Sequence, residues 1–278
     1  TLTAQLEVAH YGGRDVGEAP VRWALTSLDG DPVAQGSLPA QTLRAGLTRL
    51  GSIAVPLTNL AGATAMRLEA QVGDAVNHWP VWVYPAPDTP ADPGSVLVTR
   101  SLDDTAMERL ANGGRVVVLA HGMEHPDAAR TRFLSVYWSA GWWGNRFSSL
   151  GILCDPAHPA LDGFPTEAFA DWQWYPLLEG ATTFDLTETC PGLIPIVQPI
   201  TDFHHNRRLA QVAEMRVGTG RLLVCGYDLS TDLDRRHPAR QFRHSLIAYA
   251  KGNAFQPEYV LSPQQAVSLW GQEILAPE

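Results

Sequence analysis

The sequence predicts two domains, an all-β sandwich followed by an α/β domain on an open, mostly parallel sheet. Three observations predict this. Residues 1–86 alternate apolar and polar with period two, a proline-rich run interrupts the chain, and a strand–helix–strand texture begins beyond it.

In the first part, AQLEVAH, VRWALTS, GSIAVPL, MRLEAQV and NHWPVWVY each divide their side chains between two faces, as half-buried strands do. Val21, Trp23 and Leu25 share one face, as do Ile53, Val55 and Leu57, and Met66, Leu68, Ala70 and Val72. Turn signals YGG, LDGDP and VGD fall between these runs at sandwich spacing. About seven short strands and no helix indicate an immunoglobulin-like sandwich over 1–86. The run YPAPDTPADPG cannot hold regular structure, which makes 87–94 a stiff linker.

The α/β domain is expected over 95–252. SVLVT is a short strand, and SLDDTAMERLANGG reads as a helix with Ser101 as N-cap and Asp104 three residues on. Leu102, Ala106 and Leu110 form its apolar stripe, and Gly113 or Gly114 ends it. RVVVLA follows as a buried strand, so the three elements make a right-handed βαβ unit. RRLAQVAEMRV and RLLVCGYDL form a hairpin around Gly-Thr-Gly. HPARQFRHSLIAYAKGN is a helix with Pro238 in its first turn, Phe242, Ser245, Leu246 and Tyr249 on one face, and Gly252 past its end. Residues 253–278 read as a C-terminal tail.

Composition narrows the function classes. A net charge of −9 excludes nucleic acid and anionic membranes as partners, because either requires a basic face. No apolar run approaches the ~20 residues that span a bilayer. The start, TLTAQLEVAH, carries neither an initiator methionine nor a signal peptide, so the chain is expected to be a piece of a longer protein. Cys154, Cys190 and Cys225 lack metal-ligand spacing, and Cys225 in RLLVCG reads as a small buried hydrophobe.

HGMEH, His121 to His125, fits the H-x-x-E-H form of a zinc peptidase, which needs one helical face. Here it follows a strand, contains Gly122 and precedes Pro126, so it reads as a loop at a strand's carboxyl end. Ligands of open α/β sheets gather at that place. No G-x-S-x-G nucleophile elbow and no phosphate-binding glycine loop is present, and Gly218 and Gly220 belong to the hairpin turn. No catalytic residue, metal or cofactor is therefore expected. Asp155, Asp162, Glu167, Asp171, Asp202 and Asp228 supply the residue type that glycoside hydrolysis pairs, but their spacing fixes no pair.

The tryptophans carry the densest binding signal. SVYWSAGWWGNRF holds Trp138, Trp142 and Trp143, and FPTEAFADWQW holds Trp172 and Trp174, which point the same way if that segment is extended. Such rings stack on sugar faces or fill a core. His204, His205, Arg207 and Arg208 form a polar loop cluster, either a solvated turn or an anion or sugar contact. The candidate ligand contacts are Trp142, Trp143, His121, Trp172, Trp174, His204 and Arg207.

LGILCDPAHPALDGFPTEAFADWQW, PGLIPIVQPITDFHHNRRLAQVAEMRVGTGRLLVCGYDL and ARQFRHSLIAYA resemble the C-terminal region of large bacterial exo-acting glycosidases. These are glycoside hydrolase family 2-like enzymes of the β-galactosidase type. The run from LEVAHYG to NHWPVWVYP resembles the immunoglobulin-like domain that precedes that region, so the likeness spans about residues 4–252. It implies that the second domain has a flavodoxin-like fold, similar to class I glutamine amidotransferases but without their nucleophile. It implies a secreted or periplasmic parent hydrolase whose catalytic barrel lies upstream, with this chain as a non-catalytic accessory region. Such a region would brace the barrel, assist assembly into a homo-oligomer, or contribute to carbohydrate recognition. The alternative is an autonomous carbohydrate-binding module that uses surface tryptophans.

Overall fold

The computed structural model describes residues 1–58, 60, 62–85, 92–123, 128–130, 132–133, 148–149, 151–200 and 206–271. The chain divides into two compact units, Thr1–Ala86 and Pro87–Glu278.

The first unit consists of β1 (Leu2–His10), β2 (Val16–Ser27), β3 (Pro32–Leu43), β4 (Gly46–Val55), β5 (Thr64–Val72) and β6 (Ala75–Val83). β1 pairs with β4, and the other four form an antiparallel sheet in the order β3-β2-β5-β6. Alternation sets the inner faces. Val21, Leu25, Met66, Leu68 and Val72 from the larger sheet share one core with Leu6, Leu50, Ile53 and Val55 from the pair. Six strands are described where the turn spacing suggests about seven, because 32–43 runs as one twelve-residue strand.

In the second unit β7 (Val96–Thr99), α1 (Asp104–Ala111) and β8 (Arg115–Leu119) form the expected βαβ unit, with β7 and β8 parallel. The N-cap is Asp103 and not Ser101, because its carboxylate accepts the Ala106 N–H at 2.8 Å. There follow β9 (Ala128–Arg130), β10 (Arg132–Phe133), β11 (Ser148–Ser149), β12 (Ile152–Cys154) and the short helix α2 (Tyr175–Leu178). Next come β13 (Thr182–Asp185), β14 (Val197–Pro199), β15 (Leu209–Ala210), β16 (Val212–Val217) and β17 (Gly220–Cys225). α3 (His237–Lys251), β18 (Val260–Leu261) and α4 (Pro263–Trp270) complete the chain order.

The main sheet runs β12-β14-β16-β17-β8-β7, with β18 also on β16. It is mixed and not mostly parallel. β17, β8 and β7 are parallel, whereas β16 is antiparallel to β17 and to β14, and β14 is antiparallel to β12. The tight hairpin between β16 and β17 forces that reversal. α3 buries Phe242, Ser245, Leu246 and Tyr249, the face its periodicity marks. Residues 253–271 do more than trail: β18 joins β16, and α4 buries Ala266, Leu269 and Trp270 in the core. A capping box starts α4, with the Ser262 hydroxyl and the Gln265 amide engaging each other's backbone.

Candidate functional site

The segment 164–175 is a built loop. Gln173 donates to the Pro165 carbonyl at 2.7 Å, and the Trp174 indole donates to Thr166 Oγ1 at 2.8 Å. Cys154 N–H donates to the Ala168 carbonyl at 3.1 Å, and Leu153 bridges to Phe169, so the loop is stitched to β12. Asp171 caps the Gln173 N–H at 3.1 Å and opens a 3₁₀ turn, Trp172–Trp174, that runs into α2. The backbone is therefore helical and not extended, so the condition for the two rings to share a face is not met and they diverge. Trp174 is fully buried, with ring centroids 5.1 Å from Phe164, 5.4 Å from Phe242 and 5.9 Å from Tyr227. Trp172 is 73% exposed and Tyr175, three residues on, is 48% exposed. That spacing puts both on one side of the turn. Phe169, on the other side of Asp171, is exposed as well. Burial pushes the Asp171 carboxyl up to about 6; hydrogen bonds from Gln173 oppose this, and the charge of Glu167 adds to it.

The carboxyl ends of β8 and β17 pack against β13. β8 passes through Ala120 into a turn in which Gly122 takes φ +79 and donates to Thr182 Oγ1 at 2.9 Å. HGMEH thus begins as a turn, as Gly122 suggests, and residues 124–127 lie outside the described residues. At the end of β17, Gly226 is pressed so closely on β13 that a Cβ would stand 1.9 Å from the Thr182 carbonyl oxygen. Behind it Tyr227 donates to Gln211 Oε1 at 2.7 Å, and Gln211 donates to Thr183 Oγ1 at 3.0 Å, all within the buried interior. Asp228 pairs with Arg236 at 2.9 Å and accepts the Ser230 and Thr231 N–H groups. Burial alone would raise its carboxyl; the bonds from Thr231 and Ser230 and the Arg236 charge outweigh that and hold it below the ordinary value.

No activated thiol stands here. Burial pushes Cys225 up to about 12 and Cys154 up to about 11, the latter with help from Asp155 and Asp171, and burial also raises Cys190. All three remain protonated at neutral pH, and a thiol nucleophile must be a thiolate. Among the described residues no group of three or more His, Cys, Asp or Glu side chains is placed to hold a metal. No helix among them is long and apolar enough to cross a membrane.

Among the described residues the sequence candidates do not converge. His121 lies beside Gly122 near Thr182, at the start of β13, whereas Arg207 pairs at 3.2 Å with Asp185 at that strand's other end. Trp142, Trp143 and His204 lie outside the described residues. A groove that the sequence does not announce lies between the turn at 159–163 and the C-terminal half of α3. Its volume is about 300 Å³, and its lining includes Asp162, His244, Tyr249 and Asn253. Of these, Asp162 draws notice in the sequence as one acid among several, and Tyr249 as part of one face of α3. His244 and Asn253 are exposed on the helix and at its exit.

Fold and site define a two-unit, β-rich protein in whose second unit, among the described residues, β8 and β17 end against β13 and each cysteine thiol is raised by burial. Residues 97–270 match the family described as Domain of unknown function (DUF8487), and the chain belongs to that family. Residues 1–85 match a second one, Domain of unknown function (DUF8488). No curated protein matches the chain. Among solved structures, crystal structures of Parabacteroides merdae β-glucuronidase are similar, one of them with glycerol in its active site. Identities are 13% and 14% and TM-scores 0.21 and 0.22. Each match covers 43% of this chain, and the chain spans only 19% of those enzymes' length.

Proposed function

We propose that this chain is a non-catalytic accessory region of a glycoside hydrolase, of the family 2-like, β-galactosidase type. In this reading the first unit is an immunoglobulin-like sandwich. The second is a flavodoxin-like, amidotransferase-like domain that has lost its nucleophile. The catalytic barrel of the parent chain is its partner, and the parent is secreted or periplasmic. The observation that carries the reading is the packing of these strand ends against β13. Gly226 abuts Thr182, the Tyr227–Gln211–Thr183 chain is buried, and each of the three thiols is raised by burial. A catalytic strand end leaves that space to substrate. The sequence resemblance supplies the glycosidase class.

Intact-mass spectrometry tests it with 2-deoxy-2-fluoro-glycosides, which trap the carboxylate nucleophile of a retaining enzyme, and with a glutamine-analogue chloroketone, which alkylates an amidotransferase thiolate. The chain is expected to stay at its own mass with both. A single adduct on one Asp, Glu or Cys of the folded chain overturns the reading.

A second reading, a carbohydrate-binding module, is favoured by one specific observation. Trp172 is displayed at 73% exposure on a loop anchored by Trp174 and Gln173. A ring held in place before binding lowers the ordering cost of stacking. Calorimetry with galacto-oligosaccharides tests it: Trp172→Ala should abolish the heat, and unchanged heat removes the platform.

A further inference from the structure

We propose that the groove between the 159–163 turn and the C-terminal half of α3 is a binding site for a single neutral or amine-bearing sugar ring. This deepens the accessory reading, on which it rests for the choice of a saccharide, by naming where on the second unit the sugar is held.

Size admits such a ligand. About 300 Å³ is at the lower end of the ~300–1,000 Å³ typical of small-molecule sites. Chemistry selects it. Pro159, Ala248 and Ala254 give the groove an apolar patch suited to ring C–H groups. Asp162 offers an acceptor-only carboxylate, and His244 and Asn253 each both donate and accept. Hydroxyl groups, which also donate and accept, match that mixture better than a purely apolar or a polyanionic ligand does. No hydrogen bond within the described residues engages these three side chains, and all three are exposed toward solvent.

The walls are fixed before any ligand arrives. Ser245 Oγ accepts the Gly163 N–H at 3.1 Å and donates to the Ala160 carbonyl at 2.7 Å, and Gln241 donates to the Gly163 carbonyl at 2.7 Å. His158 Nδ1 accepts the Ala160 N–H at 3.2 Å while its ring meets Tyr249 edge-on at 5.5 Å. Tyr249 is tied off in turn, its hydroxyl donating to Glu214 at 2.6 Å. Such preorganisation reduces what binding must order.

Charge sets the preference among sugars. Asp162 supplies the one carboxyl group among the lining side chains, and the carboxyl end of α3 adds negative partial charge to the same wall. Arg115 offsets part of that end by donating to the Ala250 and Gly252 carbonyls at 3.0 Å. A protonated amino sugar should therefore bind more tightly than a neutral one, and a uronic acid more weakly.

The test is an amide-resolved NMR titration of the full chain with glucosamine, methyl β-galactoside and methyl β-glucuronide. Saturable shifts are expected at Gly163, Asn253 and Ala254, with affinity falling in that order of probes. Asp162→Asn should collapse the order, and Ala248→Phe, which fills the groove from an exposed position, should weaken binding about tenfold or more, about 1.4 kcal/mol. Trp172→Ala should leave these shifts unchanged. The proposal is overturned if none of the probes moves those amides, or if Ala248→Phe binds as tightly as the parent. Absent shifts with no trapped carboxylate sink the groove alone, whereas a trapped carboxylate sinks the accessory reading and leaves the groove to its own titration.

Discussion

Trp174 and Trp172 are the same residue type two positions apart, and replacing each with Ala should give very different losses. Trp174 is fully buried against Phe164, Phe242 and Tyr227, and its indole holds Thr166. Truncating a buried Trp costs about 3–5 kcal/mol. The three ring contacts and the lost indole–Thr166 hydrogen bond place this site in the upper half of that range, about 4–5 kcal/mol. Trp172 is 73% exposed, and truncation there should cost under about 1 kcal/mol. Urea unfolding of the second unit, followed by near-ultraviolet circular dichroism, reads both. If Trp174→Ala leaves too little folded protein, Trp174→Phe keeps ring packing, loses the indole donor and should cost about 1–2 kcal/mol. Equal losses at 172 and 174 would refute the divergence of the two rings, and with it the anchored-loop account.

Gly226→Ala should destabilise by about 3 kcal/mol or more, because the new Cβ must displace the β13 backbone at Thr182; a loss under about 1 kcal/mol in the same assay would show that this approach is not tight. Asp171 has a folded-state pKa raised to about 6, so the parent loses stability as pH climbs from about 4 through about 6. Asp171→Asn should therefore gain relative to the parent at pH 8, by at most about 2 kcal/mol after screening, and not at pH 4; the same difference at both pH values would contradict the burial of that carboxyl. Cys190 and Cys225 should react with dithiodipyridine only upon unfolding, with Cys154 slow at neutral pH, and fast modification of any of them in the native chain would expose an activated thiol.

Period-two alternation wrote the first unit plainly, since Val21, Leu25, Met66 and Leu68 each declare an inward face. α3 was equally legible from Phe242, Ser245, Leu246 and Tyr249. The direction of the sheet was not, because β12 and β14 are three-residue strands too short to carry a pattern, and both lie antiparallel. The tryptophan pair left both readings open for a definite reason. Two residues rotate a side chain by 360° in a strand but by about 240° in a 3₁₀ turn, and Asp171 as N-cap with Pro176 just inside α2 selects the turn. α4 hid in an apparent tail, although Ser262-Pro263 with Gln265 is a capping signature. The groove could not be read at all, since Asp162 and His244 meet only through the hydrogen bonds that pin the 159–163 turn onto α3.

Hydrolysis of aryl-glycosides by the purified 278-residue chain tests the central claim most directly. Nitrophenyl β-galactoside, β-glucoside and β-glucuronide should release nitrophenol no faster than buffer does, from pH 4 to pH 8. Steady release that one Asp or Glu substitution abolishes, in a variant that unfolds at the parent's urea midpoint, would contradict a non-catalytic accessory region.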